Sequence, residues 1–197
     1  VQGLTEFLPI SSSAHLKVLF EFFGLQDPGS SLSAIIQIGS VFAILVYFGK
    51  DIKNINSIVL VNSYFYKNKI IKSILIGSIP IILIGAFVKL KIPYFYESYL
   101  RSNLLIGIIS ILTALLMYIS QLRKNRNITL DNHVFFNSFL IGLAQSFAIF
   151  PGVSRSGITI TIALLLGWNR VDAAKYSFLL GIPAVSYTHL TLPTNGE

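Results

Sequence analysis

Two opposite charges stand where an apolar chain should not carry them. Glu6 is the only acidic residue before Glu21, and Arg155 is the only Asp, Glu, Lys or Arg between Asp131 and Arg170. A charge at the centre of a bilayer helix costs about 2.5–3.5 kcal/mol on insertion scales, so it persists where it meets a partner, water or a ligand. Both charges lie in runs of Pro, Gly and Ser, LPISSSAH after Glu6 and FPGVSRSGIT around Arg155, that interrupt a membrane helix. A broken loop leading into a helix start aims N–H groups and the positive dipole end at one point, which makes an anion cradle. The pattern points to a phosphate pocket; a purely structural Glu–Arg pair joining two helices is the plainer alternative.

Phosphoryl transfer asks a protein mainly for positioning and charge neutralisation, because its transition state spreads negative charge over three oxygens. Arg155 suits that task. Its planar fork binds two phosphate oxygens, and an arginine at such a transition state is worth about 10³–10⁵ in rate. Ser154, Ser156 and Thr159 are positioned to donate to the same oxygens, or else to cap backbone in a helix-breaking loop. Gln2 and Glu6 are four apart and Ser12 and His15 three apart, so each pair shares a helical face. A carboxylate beside a diphosphate needs a cation or a proton between them, which makes Glu6 a metal ligand or a general acid/base. Ser12 is a candidate nucleophile with His15 orienting it or protonating the leaving phosphate, and direct attack by water stays open.

These residues need elements to hold them, and the composition says which kind. The chain is 53% hydrophobic and 12% charged over 197 residues, with a mean hydropathy of +0.71, too apolar for an ordinary soluble domain. Apolar runs at 32–49, 73–88, 102–122 and 134–154 are spanning-helix candidates against a hydrocarbon core of about 30 Å. The formal charge of +7 does not mark nucleic-acid binding, because Lys and Arg occupy short loops rather than one face. Lys50, Lys53, Lys67, Lys69 and Lys72 crowd one loop and Arg123, Lys124 and Arg126 another, as expected if both are cytoplasmic. The loops at 24–31 and 89–101 would then face outward, although Lys89, Lys91 and Arg101 weaken the second assignment. With no Cys, no disulfide or thiolate chemistry is available.

The chain also resembles itself. Gly3-Leu4-Thr5-Glu6 parallels Gly142-Leu143-Ala144-Gln145, Pro9-Ile10-Ser11-Ser12 parallels Pro151-Gly152-Val153-Ser154, and the same offset pairs Gly39 with Gly181. The expectation is an all-α, polytopic membrane bundle with inverted repeats, about 1–88 and about 134–185, and two re-entrant loops. One membrane domain is expected over 1–185. Val1 enters directly into a motif, so a preceding apolar helix is expected to be missing. Residues 186–197, SYTHLTLPTNGE, abruptly replace an apolar pattern and are expected to be a non-native tail.

Gln2-Gly3-Leu4-Thr5-Glu6-Phe7-Leu8-Pro9 with Ser11-Ser12-Ser13-Ala14-His15 resembles the first signature of the undecaprenyl-diphosphate phosphatase family, and residues 151–159, PGVSRSGIT, resemble the second. The resemblance runs from Val1 to about Val185. It implies an inner-membrane enzyme, opening outward, that cleaves a polyprenyl diphosphate to the monophosphate and inorganic phosphate and recycles the carrier lipid of wall synthesis. Altered bacitracin susceptibility follows from that activity. The resemblance further implies a need for Mg²⁺ or Ca²⁺ held at Glu6 and Gln2, catalytic roles for Glu6, Ser12, His15 and Arg155, and phosphate contacts from Ser11, Ser13, Ser154, Ser156 and Thr159. The expected partners are the lipid substrate and the surrounding membrane lipids, with a homodimer left open and no nucleic acid. A transporter moving polyprenyl phosphate with the same cradle is the alternative, since carriers also use broken helices; a membrane scaffold without chemistry is a third.

Overall fold

The computed structural model describes residues 1–25, 36–49, 61–91, 102–124 and 126–191. The lysines at 50 and 53, most of the 24–31 loop and the 92–101 part of the next outer loop lie outside the described residues. The described elements are helices joined by turns and loops. Helices α1 (Gln2–Thr5) and α2 (Ser12–Phe22) carry the first motif, followed by α3 (Ile36–Gly49), α4 (Val61–Lys91) and α5 (Asn103–Gln121). Helix α6 (Phe135–Gln145) tightens into a 3₁₀ turn (Ser146–Ile149), and α7 (Arg155–Leu166) and α8 (Arg170–Thr191) complete the second motif region. Among the described residues the sole β pairing is a single bridge between Ile128 and Trp168.

Among the described residues two helices are long and apolar enough to cross a membrane, Lys69–Val88 and Asn103–Gln121, and only 11% of the second is buried inside the protein. An apolar helix that a soluble protein leaves bare would expose a large hydrophobic patch to water. Leu104, Ile111, Leu112, Leu115 and Tyr118 of α5 all face outward, so the solvent on that face is lipid. One of the other two apolar runs departs from expectation. Within 134–154 the helix stops at Gln145, tightens to 3₁₀ and turns at Pro151 and Gly152, whose φ of +99° few residues other than glycine adopt. Within 32–49 the described helix α3 covers residues 36–49, and residues 32–35 lie outside the described residues.

The core lies where α4, α6, α7 and α8 meet. Leu130, Ile141, Ala163, Leu164, Trp168, Ala173, Tyr176 and Leu180 form one buried cluster, each large apolar side chain contributing roughly 1.5–3 kcal/mol by leaving solvent. Helices α4 and α6 cross at Gly77 and Gly142, where a Cβ on Gly142 would lie 2.0 Å from the Gly77 carbonyl oxygen. Small residues at such crossings let backbones approach and interlock. The crossing is pinned by polar bonds at one end. Ser73 Oγ lies 2.7 Å from His133 Nε2, and Tyr176 donates to the Ser73 carbonyl at 2.8 Å.

Candidate active site

Each motif folds as the sequence leads one to expect, as a helix end, a breaker and a new helix start. In the first, α1 ends at Glu6, the chain turns through Leu8 and Pro9, and α2 starts at Ser12. In the second, α6 and its 3₁₀ extension end before Pro151, and α7 starts at Arg155. Ser154 caps α7 by accepting the Gly157 N–H at 3.1 Å, the ordinary N-cap arrangement. Ser11 precedes α2 at φ 61°, with no side-chain cap bond. A non-glycine residue held there stores about 1–3 kcal/mol of strain, and such strain concentrates at functional sites.

The two motifs meet through their charges. Arg155 Nη2 donates to Glu6 Oε1 at 3.4 Å, across 149 residues of sequence, with the side chains only 18% and 8% exposed. The other carboxylate oxygen, Glu6 Oε2, accepts the Ser12 hydroxyl at 2.7 Å. Gly181 of α8 makes the guanidinium's seat, since a Cβ there would fall 1.7 Å from Arg155 Nη1. Ser156 donates to the Leu8 carbonyl at 3.5 Å, and Phe7 meets Phe178 edge-on at 6.0 Å, further tying the first motif to the second region.

The remaining candidates distribute unevenly. Ser154 and Ser156 are buried beside Arg155, with hydroxyls 3.4 Å apart. Thr159 lies one turn further on, fully buried, donating to helix carbonyls and 2.6 Å from Ser177 Oγ, so the structure does not bring its hydroxyl to the Glu6–Arg155 pair. His15 Nδ1 sits 2.9 Å from the Ser11 carbonyl, while the bond on Ser12 goes to Glu6. Ser11 and Ser13 hydroxyls are 3.3 Å apart. Gln2 is buried one turn before Glu6. Among the described residues no group of three His, Cys, Asp or Glu gathers for a metal.

Gly181 and Ser177 were not site candidates on sequence grounds. The internal offset pairing Gly181 with Gly39 is the one signal that touched either, and the two glycines differ in place: nothing lies within 4 Å of a Cβ on Gly39. A mostly apolar cavity of about 660 Å³ lies between α3 and α8, with Phe7, Ile44, Tyr47, Phe48 and Phe178 among its walls and Lys175 as its one charged lining residue. Its Phe7 wall is bonded in sequence to Glu6, so charged centre and apolar channel adjoin.

The family model described as bacitracin resistance protein BacA matches residues 1–194. An undecaprenyl-diphosphatase of Prochlorococcus marinus (strain MIT 9515) is 58% identical over 189 residues, covering 94% of this chain and 71% of the relative. The undecaprenyl-diphosphatase of strain MIT 9312 is 56% identical over 189 residues, covering 95% and 70%. A more distant undecaprenyl-diphosphatase, of strain MIT 9303, is 44% identical over 195 residues, covering 96% and 67%. With an all-helical membrane fold, paired breaker motifs and a convergent carboxylate and guanidinium, the chain belongs to the bacitracin resistance protein BacA family.

Proposed function

We propose that this membrane protein is an undecaprenyl-diphosphatase, hydrolysing undecaprenyl diphosphate to undecaprenyl phosphate and inorganic phosphate, as its relatives' names state of them. The observation that carries the mechanism is the meeting of Arg155, Glu6 and Ser12 within 3.4 Å contacts. Arg155 binds the terminal phosphate, and the first amides of α7 and α2 supply further N–H donors. Ser12, its proton directed to Glu6, attacks the terminal phosphorus; the new Oγ–P bond replaces the bond to the bridging oxygen, which leaves on undecaprenyl phosphate. Water then cleaves the seryl phosphate. The prenyl tail lies along the apolar cavity that begins at Phe7.

Glu6 and Gln2 offer only oxygen donors, the type that Mg²⁺ and Ca²⁺ select. One carboxylate and one amide make a partial shell that diphosphate oxygens would complete, so the residues fit a hard divalent cation. Bound there, it would neutralise charge between carboxylate and substrate. Activity is expected to vanish on chelation and return with Mg²⁺ or Ca²⁺.

The site opens to the outer side of a multi-pass inner-membrane protein in this reading. Eleven further residues of α7 separate Arg155 from the basic end of the bundle at Arg123, Arg126 and Arg170, about 16 Å at 1.5 Å per residue. That exceeds half of a hydrocarbon core of about 30 Å, and the basic end faces the cytoplasm by the positive-inside rule. The shared helix, breaker and helix start of the two motifs supports reading them as halves of an inverted repeat with re-entrant loops.

Release of inorganic phosphate from undecaprenyl diphosphate by purified protein tests the function. Arg155→Ala is expected to lower kcat by about 10³ or more and Glu6→Gln by about 10²–10⁴; binding without turnover in the unaltered protein would mark a carrier instead. A phosphoseryl adduct at Ser12 is expected on rapid quenching, whereas its absence with label transfer straight from water would assign attack to water.

A further inference from the structure

At the far end of α7 from the charged pair lies a second polar feature, an open bowl of about 390 Å³ lined by Gln121, Arg123, Lys124, Arg126, Asn169 and Arg170. Its lining holds four cationic side chains and no carboxylate. Two of them are held in place by the ends of the helices they border. Arg126 donates to the carbonyls of Ser120, Gln121 and Arg123 at 3.0–3.1 Å, and Arg170 donates to Gln121 Oε1 at 2.8 Å. Arg123 packs against Gly167, whose φ of +99° brings the chain under its guanidinium.

Charge capping of helix ends accounts for part of this arrangement. The C-termini of α5 and α7 each present roughly half a negative charge to the bowl, while the N-terminus of α8 presents about half a positive one. Even with Arg123 set aside, the three remaining positive charges leave an excess of about two and a half. The nearest carboxylate on the adjoining helix, Asp172, is turned to the Leu130 N–H and the Asn169 amide at 3.3 and 2.8 Å and does not line the bowl.

We propose that the bowl binds the phosphate of an anionic lipid headgroup. The ligand chemistry is a phosphate monoanion, and the position selects the lipid as its source. Helix α5 is a membrane span that ends at Gln121, so the bowl begins where the hydrocarbon stops, and lipid phosphates occupy the next several ångströms, roughly 5–7 Å per side. Guanidinium groups fixed at that depth bring positive charge and their remaining N–H donors to a phosphate, and basic pockets between membrane helices are the usual form of such sites. The site is separate from the diphosphate centre by the length of α7 and does not depend on the catalytic reading.

The test is lipid selectivity of the full chain in phosphatidylcholine bilayers, read from the motionally restricted signal of spin-labelled phosphatidylglycerol against spin-labelled phosphatidylcholine. Phosphatidylglycerol is expected to be favoured by at least about threefold, and Arg123→Gln with Lys124→Gln to bring the ratio near unity, while Arg155→Ala leaves it unchanged. Lys124→Glu alone removes no helix cap and should still lower the ratio, which covers a double variant that fails to fold. Equal association of the two lipids with the unaltered protein, or a preference insensitive to these changes, overturns the site. Collapse of the preference on adding inorganic phosphate, but not chloride at equal ionic strength, overturns the lipid assignment in favour of free phosphate.

Discussion

The two motif regions share a local pattern and differ in how they are held. Helix α7 buries seven of its residues and packs against α5, α6 and α8, so Arg155 projects from a fixed support. Helix α2 buries none of its residues, and α1 buries Gln2 and Thr5. The glycines repeat the contrast. Gly142 and Gly181 are pressed against Gly77 and Arg155, whereas their counterparts Gly3 and Gly39 have open space at the Cβ position. Gln145, the counterpart of Glu6, is fully buried with neither amide atom bonded; a carboxylate there would carry an unpaired charge into the core at far greater cost. The lesson is a division of labour: the second motif is built into the core, and the first reaches its place chiefly by contact with the second.

That contrast can be broken at its hinge first. Gly181→Ala leaves every titratable side chain intact, yet its Cβ would collide with the guanidinium. Misplacing a catalytic group by about 1 Å costs about 10²-fold, so phosphate release should fall by that order while the thermal midpoint holds. Unchanged kcat would show that the seat of Arg155 is not its anchor. Gly142→Ala strikes the support instead. Backbone lies 2.0 Å from the new methyl and cannot rotate away, so overpacking should destabilise by about 1–3 kcal/mol or more in chemical unfolding. The matching Gly3→Ala should be silent.

Smaller effects sharpen the comparison at the caps. Ser154→Ala removes a bonded N-cap and should cost about 1 kcal/mol, whereas Ser11→Ala removes no cap bond and should leave stability nearly unchanged. Equal losses in thermal melts would erase the distinction between the motifs. The smallest effect concerns His133, in the loop before α6, where burial holds the imidazole below its usual value. The unfolded chain takes up a proton near pH 6.5 that the folded chain resists, so stability is unaffected above about 6.5 and declines as pH falls through the lowered value. The midpoint should therefore drop more between about pH 7 and pH 5 in the unaltered protein than in His133→Gln.

Much of the site was legible in the residues alone. Two lone charges inside breaker motifs of an apolar chain have few physical reasons to exist, and they meet at 3.4 Å. The partner of Ser12 was not legible. Helical spacing put His15 beside it, but Ser12 heads α2 and the carboxylate arriving from α1 takes its hydroxyl, a contact set by how the Pro9 turn folds back. Thr159 likewise shares a motif with Arg155, yet the helix rotates it toward Ser177.

Composition and motif order alone determined that this is a helical membrane protein of the BacA family, because hydropathy and charge cost are properties of residues that no fold can hide. Tertiary structure alone decided which hydroxyl serves the carboxylate, that the 134–154 run breaks after Gln145, and that Gly181 shapes the seat of Arg155. Those outcomes depend on how closely two backbones approach, and close approach depends on surfaces contributed by segments far apart in the chain.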